Sequence, residues 1–216
     1  MAFTMYSQRS ELWQRVMLGQ SSTTIGGYGC LICSVASGLT DAGVLIDGLP
    51  ADPARLNRWL ARNKGFSASS SAPRESNRFV FNSMSALGVK LVEYIDCRNK
   101  TAPVDKIQDA LGKERHFVAI QVDFKPGTTG YEQHWVRAVE WVGVDVRVMD
   151  PWIIGSNQET YLMTQYALPP WDTPARAIFR IAIYRCDPVG PYAPEAAPET
   201  PIVQKELCPY QPPRVD

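Results

Sequence analysis

Between residues 29 and 42 the chain reads GCLICSVASGLTDA, with Leu31, Val35 and Leu39 recurring at helical spacing and small Cys33, Ala36 and Gly38 between them. A helix that is apolar or small on nearly every side has no face to give to water, so it has to be packed closely on both sides. Whatever else the chain forms must therefore wrap this segment. Gly26, Gly27 and Gly29 stand immediately before it and predict a loop whose backbone turns sharply. Cys30 then falls in the first turn of a buried helix.

The remaining elements follow from pattern. LPADPARLNRWLARNKG, from Leu49, predicts a second helix with Asp52 as N-cap, Pro53 at the first helical position, Leu56, Trp59 and Leu60 on one face and Gly65 as the stop. The arm from Tyr6 to Ile25 shows no sustained period and is read as irregular, with one helical turn. After a serine-rich loop come apolar runs at 79–81 and 89–95, then a short helix near Val104 to Leu111. Residues 116–124, 134–143, 145–152 and 175–185 are rich in Val, Ile and aromatic residues and read as strands. The second and third of these, joined tightly around Gly143, predict an antiparallel hairpin. Helices first and an antiparallel sheet afterwards indicate an α+β domain over residues 1–186. From 187 to 216 there are eight prolines, so this stretch reads as an extended tail outside the sheet, mobile or draped over the domain.

At 216 residues, 45% hydrophobic and with lysine plus arginine equal to aspartate plus glutamate, the chain can build a full core. Its charge favours neither nucleic acid nor an anionic membrane. No basic segment followed by an apolar run opens the chain, and no stretch has the roughly 18 apolar residues of a spanning helix. The expectation is a soluble protein without an export signal, cytoplasmic by default. The five cysteines, an odd number, lack the density of a disulfide scaffold.

Only two histidines are present. His134 opens one strand of the predicted hairpin and Asp150 closes the other; the two have the same parity, so the hairpin can set their side chains on one face. A carboxylate on one imidazole nitrogen fixes the tautomer, turns the other nitrogen to the site and stabilises the imidazolium. A thiol at a helix N-terminus beside such an imidazolium is stabilised as thiolate. Cys30 occupies such a position.

YSQRSELWQRVMLGQSSTTIGGYGCLICSVASGL, the following Leu-Asn-x-Trp-Leu helix, HWV and DPW together resemble the C39-like branch of the papain-like cysteine peptidases, in order over roughly residues 6 to 185. The resemblance implies a papain-like fold, with a central N-terminal helix packed on an antiparallel sheet, and hydrolysis of an amide bond through a thioester, without metal or organic cofactor. It makes Cys30 the nucleophile, His134 the general base and acid, and Asp150 the orienting carboxylate. The family's oxyanion-stabilising Gln falls six residues before the Cys, where this chain has Thr24. Gln8, in the SQR near the start, is the candidate in its place, with Gln20 second. Substrates implied are peptides or the peptide cross-links of bacterial cell walls. The rival reading is a C39-like binding or assembly module without turnover, its proline-rich tail engaging a protein partner.

Simpler roles stand beside these. Cys30 alone would be a small core residue, His134 a satisfied strand-end histidine and Asp150 a turn cap before Pro151. Cys30-x-x-Cys33 could signal thiol redox chemistry or half a zinc site with Cys97, His116 or His134; more simply, Cys33 packs under Cys30. His116 reads as a surface residue. Trp135 and Trp152 are read either as core or as walls shielding the histidine.

Overall fold

The computed structural model describes residues 3–68, 76–128, 130–155, 159–167, 172–187 and 201–203. Most of the serine-rich loop and of the tail, with Cys208, lies outside the described residues. In chain order the elements are α1 (Ile25–Tyr28), α2 (Cys30–Asp41), β1 (Leu45–Ile46), β2 (Leu49–Pro50), α3 (Pro53–Arg62), β3 (Phe66–Ala68), β4 (Ser76–Phe79), a 3-10 turn at Ser85–Leu87, β5 (Val89–Asp96), α4 (Val104–Leu111), β6 (His116–Asp123), β7 (Gln133–Val142), β8 (Asp145–Met149), β9 (Glu159–Tyr161), α5 (Leu162–Gln165), α6 (Pro174–Ala177) and β10 (Arg180–Cys186). Six strands form one antiparallel sheet in the order β5-β10-β6-β7-β8-β9.

The all-round apolar segment is α2, and every residue from Cys30 to Gly38 and on to Leu39 is buried. It lies against β6 and β7. Ser34 Oγ donates to the Trp135 carbonyl at 3.2 Å, and the buried Arg137 guanidinium donates to Ser37 Oγ at 2.8 Å and to Asp41 Oδ2 at 2.5 Å. Gly38 is required by contact: a Cβ there would come within 2.4 Å of the Phe117 ring. Leu31, Ile32, Val35 and Leu39 are at most 2% exposed; at about 1.5–3 kcal/mol for each side chain taken from water, they dominate the attachment of this helix.

Odd-numbered residues of β6 (Phe117, Ala119) face α2 and join one core cluster, with Trp135, Ala182 and Tyr184. Even-numbered ones (Val118, Ile120, Val122) enter a second cluster with α4, α5 and Tyr166. The sheet is thus covered on both faces.

Helix α3 starts as expected, Asp52 accepting from Arg55 N–H at 2.8 Å with Pro53 at the first position. Its buried Asn57 reaches out to the N-terminal arm, donating to the Met17 carbonyl and accepting from Gly19 N–H, both at 2.9 Å. That side chain gives an arm without periodicity its fixed path.

Several expectations are corrected. The residues before α2 form a helical turn, α1, rather than a sharp loop, and none of Gly26, Gly27 and Gly29 has positive φ. Gly29 is needed for close approach instead, since a Cβ would lie 2.5 Å from the Ile25 carbonyl oxygen. The strand expected over 145–152 ends at Met149, and the one expected from 175 begins at Arg180, after α6; Pro174 opens that turn, which takes its residues out of the ladder. Met17 and Thr24 form an isolated bridge inside the arm read as irregular. Of the tail, the described residues 201–203 include one β-bridge, Val203 with Val80.

Candidate functional site

Asp150 reaches His134 through a β-bulge. From the tight turn, Val142 pairs with Asp145, Trp141 with Val146 and Glu140 with Arg147; past Val139 the register shifts, and Ala138 pairs with Val148 and Arg137 with Met149. Equal parity would not by itself have put His134 and Asp150 on one face. The pairing set by the turn, carried on unbroken, aligns Asp150 with Arg137, on the side that bonds α2. The extra residue at Val139 shifts Asp150 into line with Val136, diagonal to His134 on the same face.

There His134 Nε2 meets Asp150 Oδ1 at 2.8 Å, both side chains being almost fully buried. The Asp150 carboxylate also accepts from Trp152 N–H at 2.8 Å on Oδ1 and from the Tyr166 hydroxyl at 2.5 Å on Oδ2. Burial would push this carboxyl up, but the charge of His134 and these donors hold it below its ordinary value. For His134, burial works against the charged form, yet the Asp150 carboxylate, with Cys30 as hydrogen-bond and charge partner, raises it to about 9. The imidazole therefore joins Asp150 to Cys30, and because Nε2 is taken by Asp150, Nδ1 is the nitrogen left to face the thiol.

Cys30 opens α2 with its side chain fully buried. Cys33, one turn on, is buried as well; burial pushes its thiol well above the ordinary value, and Cys30 adds to this. It stays a neutral packing group. Cys30, Cys33, Cys97 and Cys186 are thiols, not joined in disulfides. Among the described residues no group of His, Cys, Asp and Glu is arranged to hold a metal ion, and the zinc alternative has no ligand set there.

Gln8, the first oxyanion candidate, is buried and ties α1 to the loop after Asp150. Its N–H donates to the Pro151 carbonyl at 2.7 Å and its Nε2 to the Gly26 carbonyl at 2.9 Å. Gln20 is exposed and backbone-paired with Ser76. Thr24 serves the backbone instead, N-capping α1 by accepting from Gly27 N–H at 3.3 Å.

Trp135 belongs to the core beside Phe81, whereas Trp152 stands at the site. Phe124 packs on the His134 ring (4.9 Å between centroids) and on Trp152 (5.4 Å), while the Arg9 guanidinium lies 4.9 Å over Trp152. Between the arm and the loop after Asp150 lies an open hollow of about 570 Å³ whose lining includes Ser7, Arg9, Trp13, Gln14, Ile154 and Gly155 but not Cys30, His134 or Asp150. His116 bonds the Glu114 carbonyl through Nδ1 at 2.8 Å and has no part in this cluster. Tyr166 and Phe124 are invisible to motif reading: each is a single aromatic residue in a stretch without chemical pattern, brought in by the fold.

No family model matches the chain, and no curated protein matches it. Among solved structures, a Bacillus anthracis protein provisionally described as a C39-like peptidase matches over 78% of this chain and 94% of its own, with 17% identity and a TM-score of 0.42.

Proposed function

We propose that the protein is a papain-like cysteine peptidase of the C39-like kind, cleaving an amide bond of a peptide or of a peptide cross-link in a bacterial cell wall. The observation that carries this reading is the imidazole of His134, held by Asp150 on Nε2 and coupled to Cys30. Cys30 gives its thiol proton to His134 and its sulfur attacks the carbonyl carbon, and the oxygen that gains the electron pair is met by the Cys30 N–H and by the Gln8 amide, which carries a second N–H beyond the one on Gly26. His134 delivers its proton to the leaving amine as the C–N bond breaks, leaving a thioester. Water, deprotonated by His134, attacks that thioester, releasing the acid and restoring the thiol. Asp150 keeps the ring oriented throughout.

One observation favours a second reading, a C39-like binding or assembly module without turnover: Cys30 has no exposed surface. Alkylation separates the two. A nucleophilic Cys30 reacts with iodoacetamide well below the roughly 8.5 of a free thiol, and His134→Ala slows that reaction. Labelling of Cys30 that follows an ordinary thiol curve and ignores His134 rules the peptidase out. A screen of peptide and cell-wall substrates then identifies what is cut.

A further inference from the structure

The only described part of the tail beyond Asp187 is Pro201–Val203, and it is bound as an extended peptide. Phe81 N–H donates to the Ile202 carbonyl at 2.6 Å, Ile202 N–H donates to Asn82 Oδ1 at 3.0 Å, and Val203 bridges Val80. The backbone of residue 81 and the side chain of residue 82 thus clamp both polar groups of a single residue. The Ile202 side chain packs on the α2-side core, beside Phe81, whose ring rests on Tyr94 (4.7 Å) and Trp135 (5.5 Å). Pro201, lacking an N–H, cannot lengthen the ladder. The clamp is short and reads backbone plus one apolar side chain, the way strand addition recognises peptides in general.

Two features make this contact exchangeable. Asp187 N–H bonds the Gly88 carbonyl, so the tail departs close to Gly88, only six residues from Asn82 along the chain and hence at most about 22 Å away. The fourteen peptide steps from Asp187 to Pro201 could span about 50 Å. A connection of that reach does not force docking. Among the described residues, two hydrogen bonds and the half-buried side chains of Ile202 and Val203, moreover, give an intrinsic affinity on the order of millimolar, similar to the effective concentration a short tether supplies.

We propose that the edge at Val80–Asn82 is a binding site for an extended peptide bearing a β-branched apolar residue, with the tail segment Pro201–Val203 as its tethered, displaceable occupant. The site goes beyond the proposed chemistry at Cys30 and does not depend on turnover there. The test uses the full chain, isotope-labelled, carrying Ile202→Asp to release the tail, and the synthetic peptide APETPIVQKEL as probe. On titration followed by NMR, the Val80 and Phe81 amide signals of the variant move to saturation. Wild-type needs about two- to tenfold more peptide, because its own tail competes, and adding Asn82→Ala to the released variant weakens binding severalfold. Amides at 80–82 that stay still in the variant, or the same midpoint in both chains, overturn the proposal. If Ile202→Asp loses its folded spectrum, Ile202→Ala takes its place in the same comparison. Since the readout is binding, a dead Cys30 leaves the result intact, and a failed clamp says nothing against the peptidase.

Discussion

The two histidines stand at the heads of neighbouring strands in the same sheet, yet only one has a chemical environment. Because β6 and β7 are antiparallel, with Val122 opposite His134 and Arg185 opposite His116, they lie at opposite ends. At the His116 end the ring rests on a backbone carbonyl at the surface. At the His134 end, the bulge in β7 delivers a carboxylate, α2 delivers a thiol, and Phe124, packed on Trp152, covers the ring. A histidine at a strand head is therefore no signal by itself; what arrives from the adjoining elements decides its role.

That contrast fails if the two ends prove interchangeable. Replacement of His134 by Ala is expected to lower hydrolysis at least about 10³-fold, while His116→Ala stays within about twofold. The same contrast holds between the two cysteines of α2. Cys30→Ala abolishes turnover, while Cys33→Ala keeps it within about tenfold, its cost falling on stability because it leaves a small gap in a close-packed helix. Equal loss from both would return the pair to redox or metal chemistry. Initial rates on any peptide found to be cut, with a thermal melt of each variant, read out all four.

Asp150→Asn probes the His134 end from within. The amide keeps the shape but removes the charge that fixes the tautomer and raises the imidazole, so turnover should fall about 10²- to 10⁴-fold. The His134 titration should drop from about 9 toward its ordinary range, as followed by NMR of the ring protons. A His134 signal that does not move would separate the carboxylate from the imidazole.

Stability against pH gives a smaller effect with a defined sign. The His134 pKa is raised on folding to about 9 from about 6.5, so its contribution is complete below 6.5 and disappears as pH climbs through 9. The Asp150 pKa is lowered on folding, so its contribution is complete above the ordinary carboxylate range and is lost as pH falls below it. Both describe one ion pair and are not summed. The melting temperature should be flat from about pH 5 to 6.5 and decline above, and Asp150→Asn should flatten the alkaline decline. An unchanged alkaline slope in that variant would assign the loss to other groups.

What is legible in the sequence divides along physical lines. Helix α3 can be read because its signals are local: Asp52 caps its own helix and Pro53 sits where no N–H is needed. Helix α2 can be read because small and apolar residues on every side leave no alternative to burial. His134 and Asp150 come together by a parity count that holds only through the bulge at Val139, and nothing in VRAVEWVG announces that residue as unpaired. The glycines before Cys30 stand out in the sequence, but their purpose does not. A close approach to Ile25 depends on how two helical turns abut, whereas positive φ is the habit usually read from glycine. Thr24 shows the same limit, since nothing local in the sequence announces that its hydroxyl caps α1.

Tyr166 offers the finest test, because its hydroxyl bonds Asp150 while its ring lies 6.0 Å from that of His134. Its hydroxyl donates to Oδ2, the oxygen not bonded to His134, and so helps hold the carboxyl below its ordinary range. Tyr166→Phe removes that donor and leaves the ring in place. The carboxylate loses one stabilising bond, and its protonation moves to higher pH. With His134 and Trp152 still bonded, turnover near neutral pH should fall by no more than about tenfold, while the acid limb of the rate profile shifts upward. A purely structural tyrosine would lower the melting temperature and leave that limb where it was. The direction of the limb, more than the size of the loss, therefore decides whether this hydroxyl positions the carboxylate.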